Sequence, residues 1–235
     1  MVAGRTERSL RSSGEQRALE LREAHRDKVA RNELRGSPLW AQSCRAYNVQ
    51  IELTSGARAS LEQTQRNLKR AEPGLLVCPE STLHVSVAWL LAVHASYPAP
   101  KDSIWGRHAG KWTAELRRIA AESEAFQITY EHLVATDSAV IALATPAGPV
   151  NRIRGMINER LNLPPETRND ADLVHTTLFR YGGPLSDPER FLATLENESP
   201  NATSEVDELI VSKELVYPSL QTETLQRLPL APQTP

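Results

Sequence analysis

Leu83-His84-Val85-Ser86-Val87 and Val174-His175-Thr176-Thr177-Leu178 are two short stretches of the same kind. Each reads apolar, His, any residue, hydroxyl, apolar, which is the alternation of a strand with one polar and one apolar face. Side chains alternate along a strand that rises about 3.3 Å per residue, so His84 and Ser86 point the same way roughly 6–7 Å apart. His175 and Thr177 do likewise. Facing each other across a groove, two such strands supply a general base, a general acid and two hydroxyl donors for an anionic oxygen. In-line cleavage of a phosphodiester needs that set.

Working outward along the first strand, strict alternation puts Thr82, His84, Ser86 and Ala88 on the groove face. Leu83, Val85, Val87, Trp89 and Leu91 fall on the other, so Trp89 is expected to pack in the core. Along the second strand His175, Thr177, Phe179 and Tyr181 share a face, which makes Phe179 and Tyr181 candidates to stack a base, with core packing as the alternative. Alternation points Arg180 away from His175. It reaches a phosphate only if the strand ends or bulges there; otherwise it forms a structural ion pair. His94-Ala95-Ser96 also fits His-x-Ser, but Tyr97-Pro98-Ala99-Pro100 follows as a turn, and His94 is read as a loop residue. His108, beside Trp105 and Trp112 on a helix, and His132, on a strand, read as partly buried structural residues.

The elements around the two strands follow from periodicity and breakers. Residues 1–14, rich in Arg, Ser and Gly, read as a disordered arm, and 15–36 as an N-terminal helix with sparse apolar positions at Ala18, Leu21, Val29 and Leu34. Residues 46–53 form a strand with Tyr47, Val49, Ile51 and Leu53 on one face, and Asn48 and Gln50 on the other, toward groove or solvent. An amphipathic helix spans 57–71 and stops at Pro73-Gly74; 75–78 is short and extended. A helix capped by Asp102 or Ser103 runs to about residue 121, then strands at 126–135 and 138–145, a helix at 149–161, a polar loop at 166–172 and a short helix at 187–196.

The paired His-x-Ser/Thr strands, 91 residues apart, resemble those of the two-histidine (2H) phosphoesterases, which include the bacterial 2′-5′ RNA ligase-like proteins and RNA cyclic phosphodiesterases. Val174-His175-Thr176-Thr177-Leu178-Phe179-Arg180 is similar to that family's second motif, in which an Arg often stands five residues after the His. The tail, from Val206-Asp207-Glu208-Leu209-Ile210-Val211 to Leu225-Gln226-Arg227-Leu228-Pro229-Leu230, resembles the family's closing strands. Ser86 departs from the pattern, where Thr is commoner. The likeness covers roughly residues 45–230 and leaves 231–235 as a tail. It implies an α+β fold of two duplicated sheet-and-helix lobes, related by a pseudo-two-fold axis across a central groove, with the N-terminal helix as an extension. Periodicity alone gives only the strand and helix order. The resemblance also implies a phosphodiesterase with His84, Ser86, His175 and Thr177 as catalytic residues and no metal or cofactor. Arg180, Phe179 and Tyr181 are the candidates for substrate binding.

Composition narrows the partners. With 235 residues, 40% of them hydrophobic, the chain can bury a sizeable core. A net charge of −2 and a pI of about 6.3 give no broad electrostatic grip on a long nucleic-acid backbone, so a nucleotide or RNA-end phosphodiester is the expected partner. Cys44 and Cys78 provide neither a disulfide framework nor a Cys-x-x-Cys metal pair. No apolar run reaches the roughly 18 residues of a membrane span, and no charged-then-apolar signal segment opens the chain. A cytoplasmic monomer with no membrane partner is the expectation.

Hydrolysis of a 2′,3′-cyclic or 2′-5′ phosphodiester needs a base for water on one side of phosphorus and an acid for the leaving oxygen on the other, and imidazole can serve as either near neutrality. Two other classes remain open: a nucleotide or RNA-end binding module without turnover, and a metal-dependent hydrolase using His84 and His175 with Glu80, Asp170 or Asp172. Which histidine is the base is not legible at this level.

Overall fold

The structure, a computed structural model, describes residues 3–169 and 172–233, and of residues 3–13 the backbone only. In chain order the elements are α1 (Ala3–Ala30), β1 (Ser43–Glu52), α2 (Ser55–Ala71), β2 (Leu75–Val77), a 3-10 turn (Glu80–Thr82), β3 (His84–Leu91) and α3 (Lys101–Ala121). The second half has β4 (Phe126–Ala135), β5 (Ala139–Thr145), α4 (Gly148–Arg160), β6 (His175–Tyr181), α5 (Pro188–Asn197), β7 (Ala202–Val206), β8 (Glu208–Val216) and β9 (Gln221–Pro229). The fold is α+β. Among the described residues no helix is long and apolar enough to cross a membrane.

Two antiparallel sheets carry the molecule, one ordered β3-β1-β8-β9 and the other β2-β6-β5-β4-β7. Without β2 the orders match position for position: a motif strand at one end, beside it the strand that precedes a helix, then two more. Each half runs strand, helix, motif strand, with β3 returning antiparallel to β1 after α2 and β6 returning antiparallel to β5 after α4. This is the pseudo-two-fold duplication of the expected bilobal fold. Strand β2 is exchanged between the halves, leaving the first half to pair with β6 in the second.

Local chemistry explains the elements. Thr54 caps α2, its hydroxyl accepting from the Ala57 N–H at 3.4 Å, and Ala57, Leu61 and Leu68 lay the helix's apolar face into the core. Asp187 caps α5, accepting from the Arg190 N–H at 3.0 Å, and Pro188 stands in the first turn where no N–H is missed. Neither expected cap of α3 bonds the helix end: the helix starts at Lys101, and Asp102 accepts from the Tyr47 hydroxyl at 2.6 Å and pairs with Lys213 at 3.1 Å. The expected inward face of β1 holds, with Tyr47, Val49 and Ile51 buried, whereas Asn48 is itself buried against Ser212.

The N-terminal helix is longer than its sequence suggests. Residues 3–14, expected to be a disordered start, form the first turns of α1, and residues 1–2 lie outside the described residues. The helix docks on β4 and β5, where Ala18 meets Val134, Ala139, Ile141 and Leu143. Gly14 lies close against the sheet there: a Cβ on it would come within 2.7 Å of Thr145 Cγ2, and that side chain would have to shift. Once residues 14–30 are fixed on the sheet, each further residue extends an existing helix instead of nucleating a new one. Arg22 donates to the Leu133 carbonyl at 3.0 Å and Lys28 pairs with Asp137 at 3.2 Å, which ties the helix to the β4–β5 hairpin. At the other end Ala231 bridges to Glu124.

Candidate active site

The two motif strands bulge at the same place. Opposite β1, Gln50 pairs with Ser86 and Val49 with Ala88, so Val87 is an extra residue; opposite β5, Ile141 pairs with Thr177 and Val140 with Phe179, so Leu178 is extra. Each bulge lies three residues after a histidine. A bulge reverses which residues face which side of the sheet. Before it, His84 with Ser86 and His175 with Thr177 face the groove; after it, Trp89 and Arg180 do, each five residues beyond its histidine, and the residues between are buried.

A cavity of about 320 Å³ lies where the strands meet, lined by His84, Ser86, Trp89, His175, Thr177 and Arg180, together with Cys78, Thr82, His94, Glu214, Tyr217, Pro218 and Ser219. All four residues of the His-x-Ser/Thr pairs are brought together there, and Arg180 joins them through the bulge. Three expectations are corrected. Trp89 lines the cavity instead of packing in the core. Phe179 and Tyr181, candidates to stack a base, are 0% and 2% exposed, because the bulge turns them into the core. The Tyr181 hydroxyl donates to the Thr136 carbonyl at 2.9 Å.

Sequence alone does not single out His94, Glu214 and Tyr217 as site residues. His94 does sit in a loop, but its ring meets Tyr217 edge-on, with centroids 5.3 Å apart, on the cavity wall. Its His-x-Ser pattern was the one signal available. Asn48 lies away from the cavity, and Gln50 lines a smaller adjoining one of about 70 Å³ that shares Thr82, His84 and Ser219 with the main site.

The two histidines differ in their surroundings. His84 Nδ1 lies 2.8 Å from the Thr82 carbonyl, which can only accept, so Nδ1 carries the proton and Nε2 of the neutral ring accepts from the Ser86 hydroxyl at 3.1 Å. Burial pushes His84 below the ordinary imidazole value, and the Thr82 carbonyl opposes that push. His175 is pushed down to about 4, by burial first and then by the positive charges of Arg154, Arg180 and His84. The Leu173 carbonyl stands to His175 as Thr82 does to His84 and favours its charged form, yet His175 Nδ1 has no partner at hydrogen-bonding geometry. Arg180 donates from Nη1 to the Ser138 carbonyl at 3.3 Å, while its Nε is buried and unpartnered. Arg180 therefore keeps donor capacity beside the cavity.

Of the carboxylates considered as metal ligands, Glu80 is exposed on the 3-10 turn and Asp172 pairs with Arg17 at 3.1 Å on the surface; Asp170 lies outside the described residues. Among the described residues no three His, Cys, Asp or Glu side chains are grouped so as to hold a metal ion.

Neither a protein-family model nor a curated protein matches the chain by sequence. Solved structures do match by shape. TT0787 of Thermus thermophilus is similar at 16% identity and a TM-score of 0.58, over 80% of this chain and 100% of that one. E. coli LigT is similar at 15% identity and a TM-score of 0.54, over 81% and 99%. A phosphoesterase is similar at 14% identity and a TM-score of 0.56, over 80% and 99%. LigT has also been crystallised with ATP, with phosphate and with 3′-AMP. The chain thus carries the fold of LigT and of that phosphoesterase, which agrees with the fold that the resemblance of its paired His-x-Ser/Thr strands implied.

Proposed function

We propose that the chain is a phosphodiesterase whose catalytic domain spans residues 45–230. It hydrolyses a 2′,3′-cyclic or 2′-5′ phosphodiester of a nucleotide or RNA end by acid-base catalysis between His84 and His175, without a metal. One observation carries the reading: two equivalent bulged strands put an imidazole and a hydroxyl from each half around a single cavity, with Arg180 beside them. The cavity is large enough for roughly one nucleotide. The crystallisation of LigT, which has the same fold, with 3′-AMP and with phosphate supports a nucleotide phosphoester as ligand.

The unequal surroundings support a division of roles. His175, held neutral by burial and by two arginines, takes a proton from the attacking water. The water oxygen bonds to phosphorus, the bond to the leaving ribose oxygen breaks, and His84 gives that oxygen its proton, leaving a phosphomonoester. His84 suits the acid role because the Thr82 carbonyl supports its Nδ1–H in both protonation states. A protonated Nε2 no longer accepts from Ser86, which frees that hydroxyl to turn to a non-bridging phosphate oxygen. Thr177 and Arg180 meet the charge that grows on those oxygens. The test is incubation with 2′,3′-cyclic nucleotides in EDTA and identification of the product isomer; failure to turn over any of them contradicts the reading.

A further inference from the structure

Glu214 is 1% exposed, lines the active-site cavity, and uses only half of its carboxylate. One oxygen, Oε1, accepts from the Ser219 N–H at 2.6 Å. The other, Oε2, is buried with no hydrogen-bond partner, an arrangement that is costly unless a bound group completes it. The catalytic steps above make no use of it. The His94 and Tyr217 rings stand on the same cavity wall.

We propose that Glu214 reads the base of the substrate: with the phosphate held between His84 and His175, the free oxygen of Glu214 accepts from the N–H edge of a guanine lying against Tyr217. The inference rests on the proposed hydrolysis of a nucleotide phosphodiester. Guanine fits because its N1–H and its amino group are adjacent donors. Adenine and cytosine place an unprotonated ring nitrogen next to their amino group, and uracil flanks its single N–H with two carbonyls, so each sets a lone pair against the carboxylate. Burial raises the Glu214 carboxyl above its ordinary value, while the Ser219 N–H and the Lys101 charge act to keep it ionised.

The test compares kcat/KM of the wild-type protein for the 2′,3′-cyclic phosphates of guanosine, adenosine, cytidine and uridine, then repeats the panel with Glu214→Gln. The variant keeps a carbonyl for the Ser219 N–H and replaces the free oxygen with a donor. The wild-type protein favours guanosine by at least about tenfold, and the variant loses that preference, since a site built to bond a polar group discriminates strongly against analogues that cannot pair with it. A melting temperature for each protein separates loss of recognition from loss of fold. Equal rates on all four bases, a preference for another base, or a guanosine preference that survives in the variant overturns the inference and leaves the hydrolase reading intact. No turnover of any of the four overturns both.

Discussion

Arg154 on α4 donates from Nε to the Val87 carbonyl at 2.8 Å, the carbonyl of the extra residue in the β3 bulge. Its Nη2 donates to the Ser86 carbonyl, also at 2.8 Å. The other half reciprocates. Gln65 on α2 donates from Nε2 to the carbonyl of Leu178, the extra residue in the β6 bulge, at 2.9 Å, and to the Cys78 carbonyl at 2.7 Å. Each half's helix thus holds the other half's motif strand at the point where the residue five beyond its histidine turns into the groove. Asn169 adds a two-bond clamp on the exposed edge of β3, to the Trp89 N–H at 2.8 Å and the Trp89 carbonyl at 2.9 Å.

Replacing Arg154 with Met leaves the Ser86 and Val87 carbonyls without their donor. Buried groups left unpaired in this way cost about 1–3 kcal/mol each, enough to lower the melting temperature by several degrees in a chain of this size. Arg154 touches no reacting atom, so it is a positioning residue, and kcat should fall more than KM changes because His84 and Ser86 lose their alignment. Steady-state kinetics below the melting transition checks this. A folded variant with unchanged kcat would show that the cross-half bonds serve stability alone.

Removing either imidazole removes a proton transfer. His84→Ala and His175→Ala should each lower kcat by on the order of 10²–10⁴-fold while circular dichroism reports a native fold. Because the two act as a unit, the double variant should be much less impaired than the product of the single effects. Full activity in either single variant contradicts the scheme.

The pH profile follows from the two environments. Activity in the free enzyme requires His175 neutral and His84 protonated. His175 titrates at about 4 and His84 below the ordinary value near 6.5. Accordingly kcat/KM should rise with pH through about 4, and fall again before about 6.5 is passed. A profile flat from about pH 5 to 9, or one still rising at neutrality, disagrees with this assignment.

Stability should carry the same signature. The His175 pKa is depressed in the folded state, so the unfolded chain binds the proton more readily between about 4 and the ordinary value near 6.5. Its contribution to stability is fully present above the unfolded value and is lost as pH falls through that window. Denaturant midpoints across the window should therefore decline less steeply in His175→Gln than in the wild-type protein. Equal slopes would mean that the ring is not held neutral by the fold.

Trp89 has exchanged its expected place in the core for the cavity wall, and Trp89→Ala tests that position. Stacking a base on an aromatic ring is worth about 1–3 kcal/mol. The variant should raise KM for a nucleotide substrate by on the order of tenfold, with a melting temperature close to wild type. A large loss of stability without a KM effect would return Trp89 to the core.

Alternation located His84, Ser86, His175 and Thr177 because two-residue periodicity holds up to the hydroxyls. It failed beyond them because Val87 and Leu178 look like ordinary apolar strand residues, and nothing in a run of valines and leucines marks which one is extra. That single shift in parity moved Trp89 and Arg180 into the groove and Phe179 and Tyr181 out of it. Glu214 and Tyr217 were illegible for a different reason: they reach the cavity through the pairing of β8 with β1, and a contact between residues so far apart in the chain leaves no local pattern. The early turns of α1 were hidden by their Arg, Ser and Gly content. The surface that α1 meets at Gly14, around Thr145, is built from the second half of the chain.

The most direct test of the central claim is the product formed from a 2′,3′-cyclic nucleotide in excess EDTA by the wild-type protein and by His175→Ala. A water held by one imidazole, in line with a leaving oxygen held by the other, must yield a single phosphomonoester isomer, formed on the order of 10²–10⁴-fold more slowly by the variant. A mixture of 2′- and 3′-phosphates, equal activity in the variant, or activity that disappears with chelation and returns with a divalent metal would contradict the account.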